Sequence, residues 1–363
     1  MKRFLALLAA LALLVPGTAL GSGTWRVLTA EISEDEKMIP ASDFTGEITM
    51  TFLGDCTLGG TEDMKNSGIG FERIVKDNGM AYPFRNLVRL TGEDDLTVAN
   101  LEGVLSDRNL AKVKKKFNFK GPAAFTEILT LGSVECVTLA NNHSHDYGDK
   151  GYADTKEALN AAGICYFAPE APAMWVSDEG LRIGFLGVDG NLSGSRSKQY
   201  ERMAQRLRDY GCAAVITVMH AGTEYSYDPP DGYQKQITGR AAPVSDLIVG
   251  HHPHVVQGFD VLNGVPVVYS LGNCVFGGNT RPKDFDALAL QAVLRFEEGS
   301  LKETELRFRP LSVTGNPRRN DYSPVLLSGE DALRVLKKLK ESTGNDPGEW
   351  DEERGAGVTV AAK

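Results

Sequence analysis

A layered α/β domain in which helices cover a sheet is the fold class this sequence predicts, and three observations predict it. Short β-rich runs alternate with helix-like segments from Gly46 onward, the pattern of helices packed on a sheet. At 363 residues, with 42% hydrophobic and 24% charged residues, the chain can bury one large core and lacks the marks of disorder or collagen. The residues able to do chemistry follow strand-like runs, and in an α/β sheet the carboxyl ends of strands converge on one ligand-binding edge.

In chain order, Lys2 and Arg3 precede an unbroken apolar run over 4–15, followed by Pro16 and Gly17. Residues 1–21 therefore read as a secretory signal peptide or, uncleaved, a signal anchor, the run being shorter than the ~20 residues that span a bilayer. Either reading places the protein outside the cytoplasm, secreted or membrane-anchored through this segment. Residues 22–44 are polar and irregular and read as a linker. The domain proper, 45–315, has expected strands over 48–53, 96–100, 135–139, 183–188, 214–219, 247–249 and 267–270. Helices are expected over 83–90, 123–131, 151–162, 197–210 and 233–242. Strands over 287–296 and 304–310 follow one another with no helix between, so the sheet is expected to end in antiparallel pairs. In 316–363, Ser328 followed by Asp331 resembles a capping box, and Leu333, Leu336 and Leu339 recur at helical spacing as far as Lys340. The Gly-rich, charged stretch 344–363 is expected to be loose.

A net charge of -9 argues against nucleic-acid binding, which needs a basic face. A polyanion finds positive charge only locally, at Lys112, Lys114, Lys115, Lys116 and Lys120, a type of patch that is more often a solvated loop. The five cysteines show no paired spacing and no Cys-x-x-Cys, so neither a disulfide framework nor a cysteine zinc cluster is expected. Cys136 and Cys212 sit in or beside apolar runs and read as small buried hydrophobes, whereas Cys56 and Cys274 adjoin motif residues and are expected to line the site.

The six histidines fall in three short motifs: His143 with His145, His220, and His251 and His252 with His254. Each motif follows an expected strand, and two further strand ends supply the carboxylates Asp55 and Glu102. With Asn142 these residues give the mix of oxygen and nitrogen donors that suits Mn, Zn or Fe. Two ions ~3.5–4 Å apart need a bridging carboxylate and an open water position, which this inventory can provide. Taken singly, Asp55 suits a turn or cap equally well, and His220 is more often a satisfied structural histidine. The joint occurrence carries the case. In His252-Pro253-His254, strand-like alternation would turn both imidazoles the same way. Asp146 is expected to cap the helix beginning near Gly151, and His145 to support a neighbouring ligand.

Phe52-Leu53-Gly54-Asp55, Asn100-Leu101-Glu102-Gly103, Leu139-Ala140-Asn141-Asn142-His143, His220 with Glu224 and Tyr225, Gly250-His251-His252-Pro253-His254 and Tyr269-Ser270-Leu271-Gly272-Asn273 occur in this order. Together they resemble the CapA-type capsule biosynthesis proteins, linked to poly-gamma-glutamate, a family similar in fold to the calcineurin-like metallophosphoesterases. The resemblance implies a four-layered α/β/β/α sandwich with a dinuclear centre at the strand ends. By position, Asp55 and His254 would hold one metal, Asn142, His220 and His252 the other, with Glu102 as bridge and His143 as general acid. Glu224, Tyr225 and His251 would face substrate, and Asn273 would either contact substrate or support a neighbouring ligand. Two departures stand out: Thr57 occupies a position where a phosphoesterase carries histidine, and the bridge is a glutamate instead of an aspartate.

Two functions follow. One is a metal-dependent hydrolase or transferase acting on a cell-envelope polymer, polyglutamate or a phosphate-containing glycan. The other is a non-catalytic, membrane-associated accessory or binding protein for capsule polymer synthesis and export, working with membrane capsule-synthesis proteins.

Overall fold

The structure, a computed structural model, describes residues 15–16, 23–28, 42–65 and 67–362. The expected leader over 1–21 lies outside the described residues apart from 15–16, a two-residue strand paired with 24–25. The first half of the domain contains β1 (Gly23–Val27), β2 (Gly46–Thr57), β3 (Leu96–Leu101), β4 (Cys136–Thr138), α1 (Gly148–Ala161), β5 (Cys165–Phe167) and β6 (Ala173–Ser177). The second half contains β7 (Arg182–Asp189), α2 (Gly194–Asp209), β8 (Ala214–His220), α3 (Gly232–Ala241), β9 (Leu247–His251), β10 (Val256–Leu262), β11 (Val265–Leu271), β12 (Asn273–Phe276), β13 (Asp286–Glu297), β14 (Ser300–Ser312), α4 (Gly329–Thr343) and β15 (Ala356–Ala362).

The expected α/β alternation builds two large sheets. One has the order β1-β6-β7-β8-β9-β11-β10, with β7, β8, β9 and β11 parallel. The other runs β15-β14-β13-β2-β3-β4-β5, with β2 to β5 parallel and β13 to β15 antiparallel, and β12 pairs with β2. The expected antiparallel ending is thus present.

Strand alternation decides where the core lies. Met50, Phe52 and Val98 from the second sheet meet Ile183, Phe185, Ile216 and Val249 from the first in one buried cluster. The intervening residues Leu53, Ala99 and Val137 pack on the opposite face with helical Val75, Ile128 and Leu159. Leu186, Val215 and Ile248 do the same on the first sheet with Tyr200, Leu207 and Ile237. Strands buried on both faces explain the nearly continuous apolar runs in the sequence.

Four expectations change. The stretch expected to be a linker over 22–44 includes β1, which pairs with β6 and buries Trp25 between the sheets. Residues 83–90 form turns leading into a short helix, Val88–Gly92; Pro83 removes a donor and biases the residue before it away from helix. Ser328 is the N-cap of α4 but makes no side-chain cap bond, and Asp331 is held by Arg334 instead. The stretch 344–363 is not loose throughout, because β15 extends the sheet along β14. Its Gly-rich composition hid a strand whose pairing partner is distant in sequence.

Candidate metal centre

Asp55 sits where the pairing of β2 with β3 shifts register between Leu53 and Asp55, a bulge that re-aims the side chain. A Cβ at Gly54 would lie 2.3 Å from the Gly272 carbonyl oxygen, so the close approach of β12 here requires glycine. Asp55 is fully buried. Its Oδ1 accepts from Asn100 Nδ2 at 2.7 Å and lies 3.3 Å from His251 Nδ1; its Oδ2 is 3.1 Å from His254 Nδ1. Burial alone would raise its pKa, but His251 and His254 hold the carboxyl well below its usual range.

Glu102 follows the end of β3 and is also fully buried, with neither carboxylate oxygen hydrogen-bonded. Burial, then the charge of Asp55, pushes it up to about 8. His254 responds in the opposite sense: burial would lower it, but Glu102 and Asp55 raise it to about 10. Asp55, Glu102 and His254 each place a ligand atom within 4.8 Å of the others. An unpaired buried carboxylate costs several kcal/mol in principle, ~2–7 even for a neutral polar group. A divalent cation removes that cost, and two carboxylates with an imidazole are a fitting donor set.

A second group adjoins the first. His220 Nε2 lies 2.8 Å from Asn142 Oδ1, 3.1 Å from His252 Nδ1 and 3.7 Å from Glu102 Oε1. Burial, then the neighbouring His252, holds His220 well below its usual pKa, and burial followed by His254 lowers His252. Both rings thereby favour the neutral form that ligates metal. His252 and His254 converge, their centroids 6.0 Å apart, but not by strand alternation. They lie in bends, with φ of 99° and 57°, left-handed conformations that non-glycine residues adopt at a cost.

His143 is buried against Phe119, with centroids 4.4 Å apart. Its Nδ1 lies 2.8 Å from Asp146 Oδ2, and its Nε2 is 3.8 Å from Glu102 Oε1. Burial lowers its pKa, with Asp146 opposing. Asp146 is therefore not the expected helix cap: it also accepts the Phe119 N–H at 2.6 Å and an ion pair from Lys115.

Other expectations move. His251, expected to face substrate, is buried behind Asp55 in register with His220. Asn273 is buried too, and its Oδ1 lies 2.9 Å from His254 Nδ1. Glu224 is exposed; Tyr225 is half-buried, with its ring 6.0 Å from that of His254. His145 lies outside the cluster, its ring tilted against that of Tyr152 with centroids 4.2 Å apart and its Nδ1 3.3 Å from Asp149. Cys56 and Cys274 do not line the site, because alternation turns them into the helix-covered cluster on the other face, and all five cysteines are buried and free. Asn100, which is not among the expected site residues, bridges Asp55 and His220, its Nδ2 lying 3.2 Å from His220 Nδ1. Its position two residues before Glu102 on β3, and so on the same face, was the available signal.

The residues matched by the family model "Bacterial capsule synthesis protein PGA_cap", 49–278, include every residue of this cluster. The chain belongs to that family of bacterial capsule synthesis proteins. Over 340 residues it is 28% identical to the capsule biosynthesis protein CapA of Bacillus anthracis, covering 86% of this chain and 78% of that protein. Over 258 residues it is 28% identical to the PGA biosynthesis protein CapA of Bacillus subtilis (strain 168), covering 65% of this chain and 66% of that one.

Proposed function

We propose that the protein is an extracytoplasmic, metal-dependent hydrolase of phosphoesterase type, acting on an envelope polymer in capsule or poly-gamma-glutamate biosynthesis. The observation that carries this reading is Glu102, fully buried with neither oxygen hydrogen-bonded, beside Asp55 and His254. Two sheets sharing one core, with helices on the outer face of each, support the four-layered α/β/β/α sandwich of calcineurin-like metallophosphoesterases.

Asp55 and His254 would hold one divalent ion and Asn142, His220 and His252 a second, with Glu102 between them. Ions of the Mn, Zn or Fe type supply Lewis acidity there. Asn100, His251 and Asn273 fix the orientation of the ligands, as outer partners of metal sites do. His143, its Nδ1 held by Asp146, presents Nε2 to exchange a proton with the reacting group. Tyr225 and Glu224 border the open side.

A second reading, a polymer-binding accessory protein without turnover, is favoured by Thr57, whose buried hydroxyl has no partner where an imidazole ligand is expected. Paired variants discriminate. His143→Ala should keep bound Mn but lose at least ~100-fold in hydrolysis of a chromogenic phosphodiester, the scale of a lost general acid or base. His252→Ala should lose both metal and activity. Equal activity in the two variants contradicts the assigned roles, and an inactive wild-type chain that binds Mn supports the accessory reading.

A further inference from the structure

The loop over 108–120 carries Arg108 and five lysines, with no acidic residue after Asp107, in a chain of net charge -9. It has irregular backbone but is firmly attached. Val113 N–H and Asn118 Nδ2 both donate to the Asp146 carbonyl, Phe119 N–H donates to the Asp146 carboxylate, and Lys115 Nζ donates to the Asn142 carbonyl at 2.8 Å. Its fixed points are therefore the turn that presents Asn142 and His143. Lys112 is paired with Glu62 at 2.9 Å, and Lys120 Nζ donates to the Arg108 carbonyl. Lys114 and Lys116 are exposed and have no carboxylate partner among the described residues. Both line a cleft of about 460 Å³ together with Phe117 and Tyr147; four lysines of the loop face it against two carboxylates, Glu62, which Lys112 engages, and Asp63. Phe117 is 47% exposed and stacks on Phe119, with centroids 6.4 Å apart and planes within 5°, and Phe119 packs on His143. Charge and apolar surface thus run together from solvent to the metal centre.

We infer that this loop is the docking surface for a polycarboxylate chain, a γ-linked polyglutamate, which it delivers to the centre. The inference rests on the reading of the protein as one that acts on capsule polymer. Separate lysine ammonium groups suit single carboxylates spaced along a chain, whereas phosphate recognition favours the bidentate arginine fork, and Arg108 is already engaged by Asp154. The methylenes within a γ-linked backbone give Phe117 an apolar surface to cover. The negative charge of the rest of the protein repels such a polymer from other faces.

The test is the affinity of the full chain for a fluorescently labelled γ-linked polyglutamate across a salt series, comparing wild type, Lys114→Glu/Lys116→Glu, and Lys302→Glu as an exposed control on β14. The loop variant should bind about tenfold or more weakly at low salt and lose most of its salt dependence, with the control within about twofold of wild type. Manganese content and phosphodiester hydrolysis of the loop variant should match wild type. Equal affinity of loop variant and wild type overturns the proposal, as does absence of polyglutamate binding at low salt. Tighter, Lys114- and Lys116-dependent binding of poly(glycerol phosphate) overturns it in favour of a phosphate polymer. Loop-dependent polyglutamate binding by a chain that takes up no metal sustains the docking surface while the hydrolase reading fails.

Discussion

Glu102 is a carboxylate buried with neither oxygen hydrogen-bonded, a setting that penalises its charged form. Its consequence for pH is definite in sign. With its folded pKa raised to about 8, the metal-free protein retains a proton that the unfolded chain releases from its usual carboxylate range upward. The resulting stability is present at acid pH and is lost as pH rises through about 8. Glu102→Gln should therefore flatten the fall in urea midpoint between weakly acidic and weakly alkaline buffer, measured with chelator present. A variant with the unaltered slope refutes this account of Glu102. Asp55 has the opposite sign: its lowered pKa gives stability that is lost on acidification. Added metal competes with the Glu102 proton, so affinity should rise with pH over the same window.

At the scale of elements, the site depends on two departures from regular strand geometry: the bulge at Gly54 and the left-handed bends at His252 and His254. Between them, β9 runs close to β11, and a Cβ at Gly250 would lie 2.0 Å from the Tyr269 carbonyl oxygen. Gly250→Ala should lower stability by ~1–3 kcal/mol, the cost of overpacking, and weaken metal uptake by displacing His251 and His252. Thermal melting with and without Mn reads both effects; an unchanged melt and full metal binding contradict the close approach. This scale also shows what was legible beforehand. The strand cores over 48–53, 183–188 and 214–219 are marked by short β-rich, largely apolar runs, and His220 and Glu102 by following runs of that kind. The bends are not, because a positive φ at histidine leaves no compositional trace. Nor is the partnership of Asp146 with His143, which looked like local helix capping, since nothing in a one-dimensional pattern says that Phe119 and Lys115 converge on the same carboxylate.

For the whole molecule, the alternation of strands and helices gave the α/β class, but the division into two sheets was implied only by the family resemblance. Whether β3 and β8 belong to one sheet or two depends on pairing between distant segments, which periodicity does not encode. The same holds for β15, which covers the edge of β14 from the far end of the chain. A chain ending at Gly344 should expose that edge, melt at a lower temperature and self-associate in gel filtration. An unchanged melt and a monomeric profile would show that β15 contributes little. No helix among the described residues is long and apolar enough to cross a membrane. The proposed metal centre gathers the ends of both sheets around Glu102. Elemental analysis of the full chain after loading with Mn or Zn and gel filtration tests it most directly. Wild type should retain about one to two ions per chain, and Glu102→Gln should lose most of them with its circular dichroism unchanged. A wild-type chain without metal, or equal metal in the folded variant, contradicts the account.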